Sequence, residues 1–374
     1  MGRKTRLARR GMKQFFVTYG GMITPLGTTI EEHTSQLSKG VSGVTIVENS
    51  GFNQEDWPLG KIEFANPDNR YTYLLETICD RLIEQHGSAL FASEKTGIII
   101  SSTKADIDLL PNDTFASTRK VIQSKLAPKH APIIISNACI SGVLAINTAA
   151  DYLSTDKYDN VVVIGIDALS DFVVFGFQSL FALSDSPSQP FDKNRKGICI
   201  GEAAGAVIVS KKKLASGTFN VLYCGGSSSN DANHISGPSR TGEGLFRSVN
   251  KTLERSQIDP STIDYISAHG TGTLYNDEME SIAFDRLGMT HIPLNSYKGY
   301  FGHTLGAAGI IEVIASIIMM ENNLVFKSIG FEETGTSCPL NVITETKSHP
   351  INTILKTASG FGGGNASLIL TKEP

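Results

Sequence analysis

Cys139 stands in the stretch "IIISNACISGVLAIN", between the apolar run Ile133 to Ile135, which reads as a buried strand, and Ser141 to Ala150, which reads as a buried helix. The unpaired amides and macrodipole at a helix N-terminus favour an anion, which predicts a lowered thiol pKa and a thiolate able to accept an acyl group. A small buried hydrophobe fits the same position. Two histidines bear on that choice. His269 lies in "ISAHGTGTLYND", just after a strand, where Gly270 and Gly272 let the loop turn tightly. His303 lies in "NSYKGYFGHTLGAAG", after a strand-like segment and before a helix. Either alone reads more readily as a hydrogen-bonded loop residue than as a catalyst, but both together with the cysteine point to chemistry. The glycine-rich loop "SGFGGGNAS", Ser359 to Ser367, could bring backbone amides to a developing oxyanion. Glycine loops also cradle phosphates, yet the dinucleotide pattern GxGxxG is missing at a strand-to-helix turn, which demotes a nucleotide site.

These residues need a frame of strands and helices. Strand-like runs recur at "KQFFVTYGGMITPLG", "TGIIISST", "APIIIS", "NVVVIGID", "AGAVIVS", "NVLYCGGSS", "IDYISAHG", "TILKTASG" and "ASLILTK". Helical patterns between many of them predict an α/β layered fold with largely buried strands. The stretch "SKKKLASGTF", charged and then turn-rich, divides the chain into residues 12–213, which carry the cysteine, and 214–374, which carry both histidines. Each half runs strand, helix and strand in a similar cadence, without an exact internal repeat. Residues 1–11 are basic and lack the apolar run of a secretory signal, so they read as a solvated arm or a translation-start artefact before Met12. The most apolar stretch, "LGAAGIIEVIASIIMM", is interrupted by Glu312 and too short for a bilayer, which predicts a buried helix and no membrane partner.

Composition excludes several classes. A chain of 374 residues that is 40% hydrophobic and 19% charged can bury a large core, unlike a disordered scaffold. A formal net charge of -4 offers no positive field for nucleic acid or anionic lipid. Cys79, Cys139, Cys199, Cys224 and Cys338 are scattered, with neither zinc-site spacing nor disulfide density, and fit a reducing cytosol.

The ordered set "NACISG", "PFDKNRKGICIGEAAGAVIV", "AHGTGTLYND", "KGYFGHTLGAAG" and "GFGGGNASLIL" resembles the β-ketoacyl-acyl carrier protein synthases of the elongating, Cys-His-His type, over nearly the whole chain. The resemblance implies the thiolase-like fold, two similar α/β halves stacked in five layers (αβαβα), and a dimer. It implies decarboxylative condensation of an acyl thioester with malonyl-acyl carrier protein, with an acyl carrier protein as partner and no metal or cofactor. Residue by residue, Cys139 matches the nucleophile, and His269 and His303 match the pair that promotes decarboxylation. The amides of Cys139 and Phe361 match the oxyanion hole, and Thr271 and Thr273 match the hydroxyls that bond the phosphopantetheine arm. Lys298 matches the active-site lysine. Asp277 and Glu280 match supporting acids, and we expect Lys298 and Glu280 to form a partly buried pair that orients the histidines. Phe361 matches the aromatic gate at the acyl pocket, although a core aromatic fits the residue equally.

The chain also departs from the elongating enzymes. Only Lys104 to His130 separates two strands where those enzymes carry a longer segment. Ile140 follows the nucleophile where a small hydroxyl residue is common, Ser359 stands where an aromatic is common, and Gly364 where threonine or histidine is usual. These changes suggest a reshaped acyl pocket, with Ile140 part of it, and a dedicated polyketide or polyene pathway. Housekeeping fatty acid elongation, or catalysis in a heterodimer with a subunit resembling a chain-length factor, are the alternatives. A degradative thiolase would need a second catalytic cysteine near the C-terminus, which the final glycine loop lacks. An initiating synthase would pair its cysteine with one histidine and one asparagine.

Overall fold

The computed structural model describes residues 14–64, 69–215, 221–231 and 239–373; the basic segment 1–11 lies outside them. Valine and isoleucine runs form the central strands, because β-branched side chains suit a pleated surface covered on both faces. Up to Ser210 the chain forms β1 (Phe15–Ile23), α1 (Ile30–Lys39), the small pair β2 (Thr45–Val47) and β3 (Trp57–Leu59), α2 (Arg70–His86), α3 (Ser88–Phe91), β4 (Thr96–Ser101), α4 (Ala116–Leu126), β5 (Ile133–Ile135), α5 (Ser141–Ser154), β6 (Asn160–Asp167), α6 (Asp171–Ser179) and β7 (Ala203–Ser210). It continues with β8 (Val221–Asn230), α7 (Glu243–Ser256), β9 (Tyr265–Ser267), α8 (Leu274–Arg286), β10 (Leu294–Asn295), α9 (Lys298–Phe301), α10 (Ala308–Asn322), the pair β11 (Leu324–Val325) and β12 (Lys347–Ser348), β13 (Thr353–Gly360) and β14 (Gly364–Lys372).

Ten strands run in the order β10-β9-β13-β14-β8-β1-β7-β6-β4-β5. Split between β8 and β1, each block repeats one arrangement: its first strand lies beside its last, then come its fourth, second and third. The pairings match as well. β1 with β7 and β7 with β6 are antiparallel, β6 with β4 and β4 with β5 parallel; β8 with β14 and β14 with β13 are antiparallel, β13 with β9 and β9 with β10 parallel. The blocks meet where Phe15 to Val17 pair with Val221 to Tyr223.

Helices complete five layers. α2 and α4 cover one block and α7 and α8 the other, while α5 and α10 lie between the blocks and pack on strands of both. The largest apolar core joins α5 and α10 to the inner faces, and separate cores lie under α2 and under α7 with α8. α5 and α10 cross closely at glycines: a Cβ on Gly142 would come 2.9 Å from the Gly309 Cα, and one on Gly309 would come 2.5 Å from the Val143 amide nitrogen. The stretch Leu305–Asn322 is long and apolar enough to cross a membrane by composition, but 89% of it is buried inside the fold, as a central core helix requires.

One expectation is corrected here. Ile133, Ile134 and Ile135 form the foreseen strand but are only partly buried, because β5 is the outermost strand of its block and pairs with β4 alone.

Candidate active site

Cys139 sits where the chain turns from β5 into α5. Ala138 adopts a left-handed φ of 43°, and Ser141 ties the turn down: its hydroxyl accepts from the Asn137 amide at 2.7 Å and donates to the Ala138 carbonyl at 2.7 Å. The glycine turn after β13 presses against this elbow. A Cβ on Gly360 would lie 3.1 Å from the Cys139 amide nitrogen, so any larger residue would press the two backbones a few tenths of an ångström apart. The Phe361 amide bears on the thiol from the same side.

The thiol does not have the lowered pKa expected from the helix end. Burial pushes it up to about 11, and the Lys298 charge with the amides of Phe361 and Cys139 only partly offsets this. Desolvation of a thiolate in a covered pocket therefore outweighs the first turn of one helix.

His269 and His303 face each other beside Cys139, ring centroids 5.3 Å apart and planes at 81°. Sγ and one ring nitrogen from each histidine all lie within 4.8 Å of one another. Such a set could hold a soft cation or work on one thioester, and the amide-bearing turn beside the thiol favours the second. His303 is held through its backbone: its amide donates to the Cys199 carbonyl at 2.7 Å, and its carbonyl accepts from Gly201 at 3.0 Å. Both His303 ring nitrogens and Nδ1 of His269 lack hydrogen-bond partners among the described residues. Burial, reinforced by the charges of Lys298 and Lys356, holds both imidazoles well below the usual histidine pKa, hence neutral at pH 7.

The acids beneath this pair act on backbone. Glu280 accepts from the amides of His269 at 2.9 Å and Gly270 at 2.6 Å, and from the Asn276 side chain at 2.6 Å. Burial and the neighbouring Asp277 push its pKa up to about 7 against those bonds. Asp277 accepts from Thr271 at 2.9 Å and Phe191 at 2.7 Å, with the Arg195 guanidinium 3.8 Å away. Burial raises its pKa despite them. The two carboxylates thus fasten the 269–273 loop to α8.

Lys298 is not paired with Glu280. It is fully buried, and its ammonium donates to Glu312 and to the His269 carbonyl at 3.1 Å. α10 runs under the histidines and delivers Glu312 there, whereas the Glu280 oxygens are already taken by N–H groups. Sequence reasoning missed Glu312 and its second partner, Lys356. Both carried a signal, a lone charge in a run otherwise apolar enough to be buried, which must find a partner inside the protein.

A cavity of about 430 Å³ opens onto Cys139, His269 and His303. Thr271 and Thr273, their hydroxyls 2.8 Å apart, line its wall. Phe361 lies across it with its ring stacked on Phe177 at 5.5 Å, and at 39% exposure it is no core aromatic. No residue from 104 to 130 lines this cavity; that segment instead supplies α4 on the outer layer. Ile140 does not line it either. It is buried behind the wall, and a Cβ added to Gly364 would lie 3.0 Å from its Cδ1. Ile140 and Gly364, two of the departures noted in the sequence, are therefore one exchange of volume across the elbow. Gly364→Thr should destabilise the fold by about 1–2 kcal/mol through overpacking, and a double-mutant cycle with Ile140→Ala should show about 1 kcal/mol of favourable coupling in denaturant unfolding. Additive effects would mean that the residues do not share this space.

Residues 122–215 match the family described as Beta-ketoacyl synthase, N-terminal domain, and residues 221–332 its C-terminal domain. The 3-oxoacyl-[acyl-carrier-protein] synthase 2 of Rhizobium meliloti is 33% identical over 267 residues, an alignment covering 67% of this chain and 62% of that relative. Two solved structures superpose on 96% of this chain and 100% of their own, each at 24% identity and a TM-score of 0.86: the ishigamide ketosynthase/chain length factor, and a type II polyketide acyl carrier protein in complex with its ketosynthase bound to the hexaketide. The chain belongs to the β-ketoacyl synthase family, and its fold is thiolase-like.

Proposed function

We propose that this protein condenses a carrier-bound acyl thioester with malonyl-acyl carrier protein, releasing carbon dioxide and giving a 3-oxoacyl-acyl carrier protein two carbons longer. One observation carries the reading: a thiol and two neutral imidazoles lie within 4.8 Å at a cavity whose wall presents a glycine turn. As the phosphopantetheine arm enters past Thr271 and Thr273, a neutral imidazole takes the proton of the high-pKa thiol. Sulfur attacks the acyl carbonyl, the proton passes to the departing pantetheine sulfur, and Cys139 holds the acyl group. Malonyl thioester then loses carbon dioxide, and the enolate oxygen accepts N–H donation from His269 and His303. The enolate carbon attacks the acyl-Cys139 carbonyl, the oxyanion takes the amides of Cys139 and Phe361, and collapse breaks the C–S bond. The released thiolate takes up a proton from solvent, as its raised pKa requires.

The carrier protein reading is supported by the solved ketosynthase complex and by the arm-sized cavity. A second subunit is supported by the partly exposed edge strand β5 and by the ketosynthase/chain length factor assembly that this fold matches; whether that subunit is a copy or a relative decides between homodimer and heterodimer. Division into halves at residues 213 and 214 follows the repeated strand order, and a cytoplasmic setting fits five cysteines with no disulfide. The likeness to a type II polyketide ketosynthase favours a specialised polyketide or polyene pathway over housekeeping elongation. Purified protein given malonyl-carrier protein and a panel of saturated and polyunsaturated acyl-carrier proteins should extend the unsaturated chains fastest, read by intact-mass spectrometry of the carrier. A clear preference for long saturated chains would overturn the pathway assignment, and no extension of any primer would overturn the reaction.

A further inference from the structure

The steps above give no task to Lys356, a buried cation. Lys356 lies in the middle of β13, opposite Ser267 of β9, and is fully buried. Its ammonium donates to the carbonyls of Ser267 at 3.3 Å and Ala268 at 3.4 Å and to one oxygen of Glu312, whose other oxygen takes Lys298. Lys298 in turn holds the next carbonyl, that of His269. Two ammonium groups thus grip three consecutive carbonyls leading into His269, cross-linked by a single carboxylate. The charged groups facing Lys356 are Glu312 from α10, Lys298 from α9 and, across the His269 loop, Glu280 from α8, whose oxygens are engaged by N–H donors. Two ammonium groups share one direct counter-ion; burial lowers the Lys356 pKa and the Glu312 carboxylate opposes this, so the charged trio holds one positive charge in excess away from water. A buried charge is costly, and one left in excess has a use only where opposite charge appears.

We propose that Lys356 is a positioning residue of the condensing centre, fixing the strand end that carries His269 and supplying the excess positive charge beneath both imidazoles that favours the enolate. This rests on the condensing reading above. Burial is the largest cause of imidazole neutrality, and Lys356 adds to it at both histidines, so its loss should let them protonate at higher pH.

The test compares wild type, Lys356→Met and the double variant Lys356→Met/Glu312→Gln. The single change removes the excess charge, and the double change restores it on Lys298 without orphaning a carboxylate. Lys356→Met should lower kcat for malonyl-carrier protein decarboxylation by roughly tenfold or more at little-changed KM, and move the acid limb of the pH profile upward. Acylation of Cys139 should fall much less, and the double variant, which restores the charge but not the bonds to the Ser267 and Ala268 carbonyls, should recover part of kcat and return the acid limb. Folded Lys356→Met with a wild-type rate and profile overturns the proposal. So do single and double variants that are equally impaired with an unmoved limb, since that is a purely structural role. Should Lys356→Met fail to fold, the double variant decides alone: a wild-type acid limb supports the proposal and a shifted one overturns it. Wild type that releases no carbon dioxide from malonyl-carrier protein is a distinct result and removes the condensing reading itself.

Discussion

Cys139→Ala should abolish condensation, a fall of roughly 10⁴-fold or more, while leaving malonyl decarboxylation measurable. In the proposed mechanism the Cys139 sulfur holds the acyl chain, so without it the enolate has no electrophile and is protonated to an acetyl thioester. The imidazoles are positioned without Sγ: His303 hangs from Cys199 and Gly201, and His269 from Glu280 and Lys298. Carbon dioxide release from malonyl-carrier protein should therefore persist, read by headspace mass spectrometry beside a condensation assay. Because burial holds the wild-type thiol pKa near 11, free enzyme should be alkylated slowly by iodoacetamide at neutral pH and faster as pH rises. Condensation surviving in Cys139→Ala would show that another group carries the acyl chain.

The chemistry was more legible than the electrostatics that govern it. Cys139, His269, His303 and the Phe361 turn stand in short motifs where residue type and neighbouring glycines state the local backbone, and the fold brings all four to one cavity. The strand cadence was legible too, and its two-fold repetition emerges as identical strand order in the two blocks. What could not be read depends on depth and on which elements meet. A helix N-terminus is visible in sequence, but the burial that overrides it at Cys139 is not. The resemblance suggests a Lys298–Glu280 pair, yet pairing is decided by α10 passing beneath the histidines with Glu312. Ile133 to Ile135 have the composition of a buried strand and are left at an edge by topology alone. The lone charges of Glu312 and Lys356 were the usable signal, since a buried helix or strand does not keep an ion without a partner.

His303→Ala should let acyl-enzyme accumulate at Cys139 while condensation falls by roughly 10²–10³-fold, the cost of losing one donor to a developing oxyanion. The asymmetry follows from what each half-reaction needs. Acyl transfer needs the elbow, the amides of Cys139 and Phe361, and one imidazole to accept the thiol proton, a role that His269 can fill from within the same 4.8 Å cluster. On the proposed mechanism decarboxylation needs two neutral N–H groups on one enolate oxygen, and a single imidazole leaves that charge half-supported. Intact-mass spectrometry after incubation with an acyl-carrier protein should show one acyl group per chain, stable until a nucleophile is added. An unmodified protein would mean that His303 serves acylation as much as decarboxylation, and would shift the proton-accepting role at the thiol onto that residue.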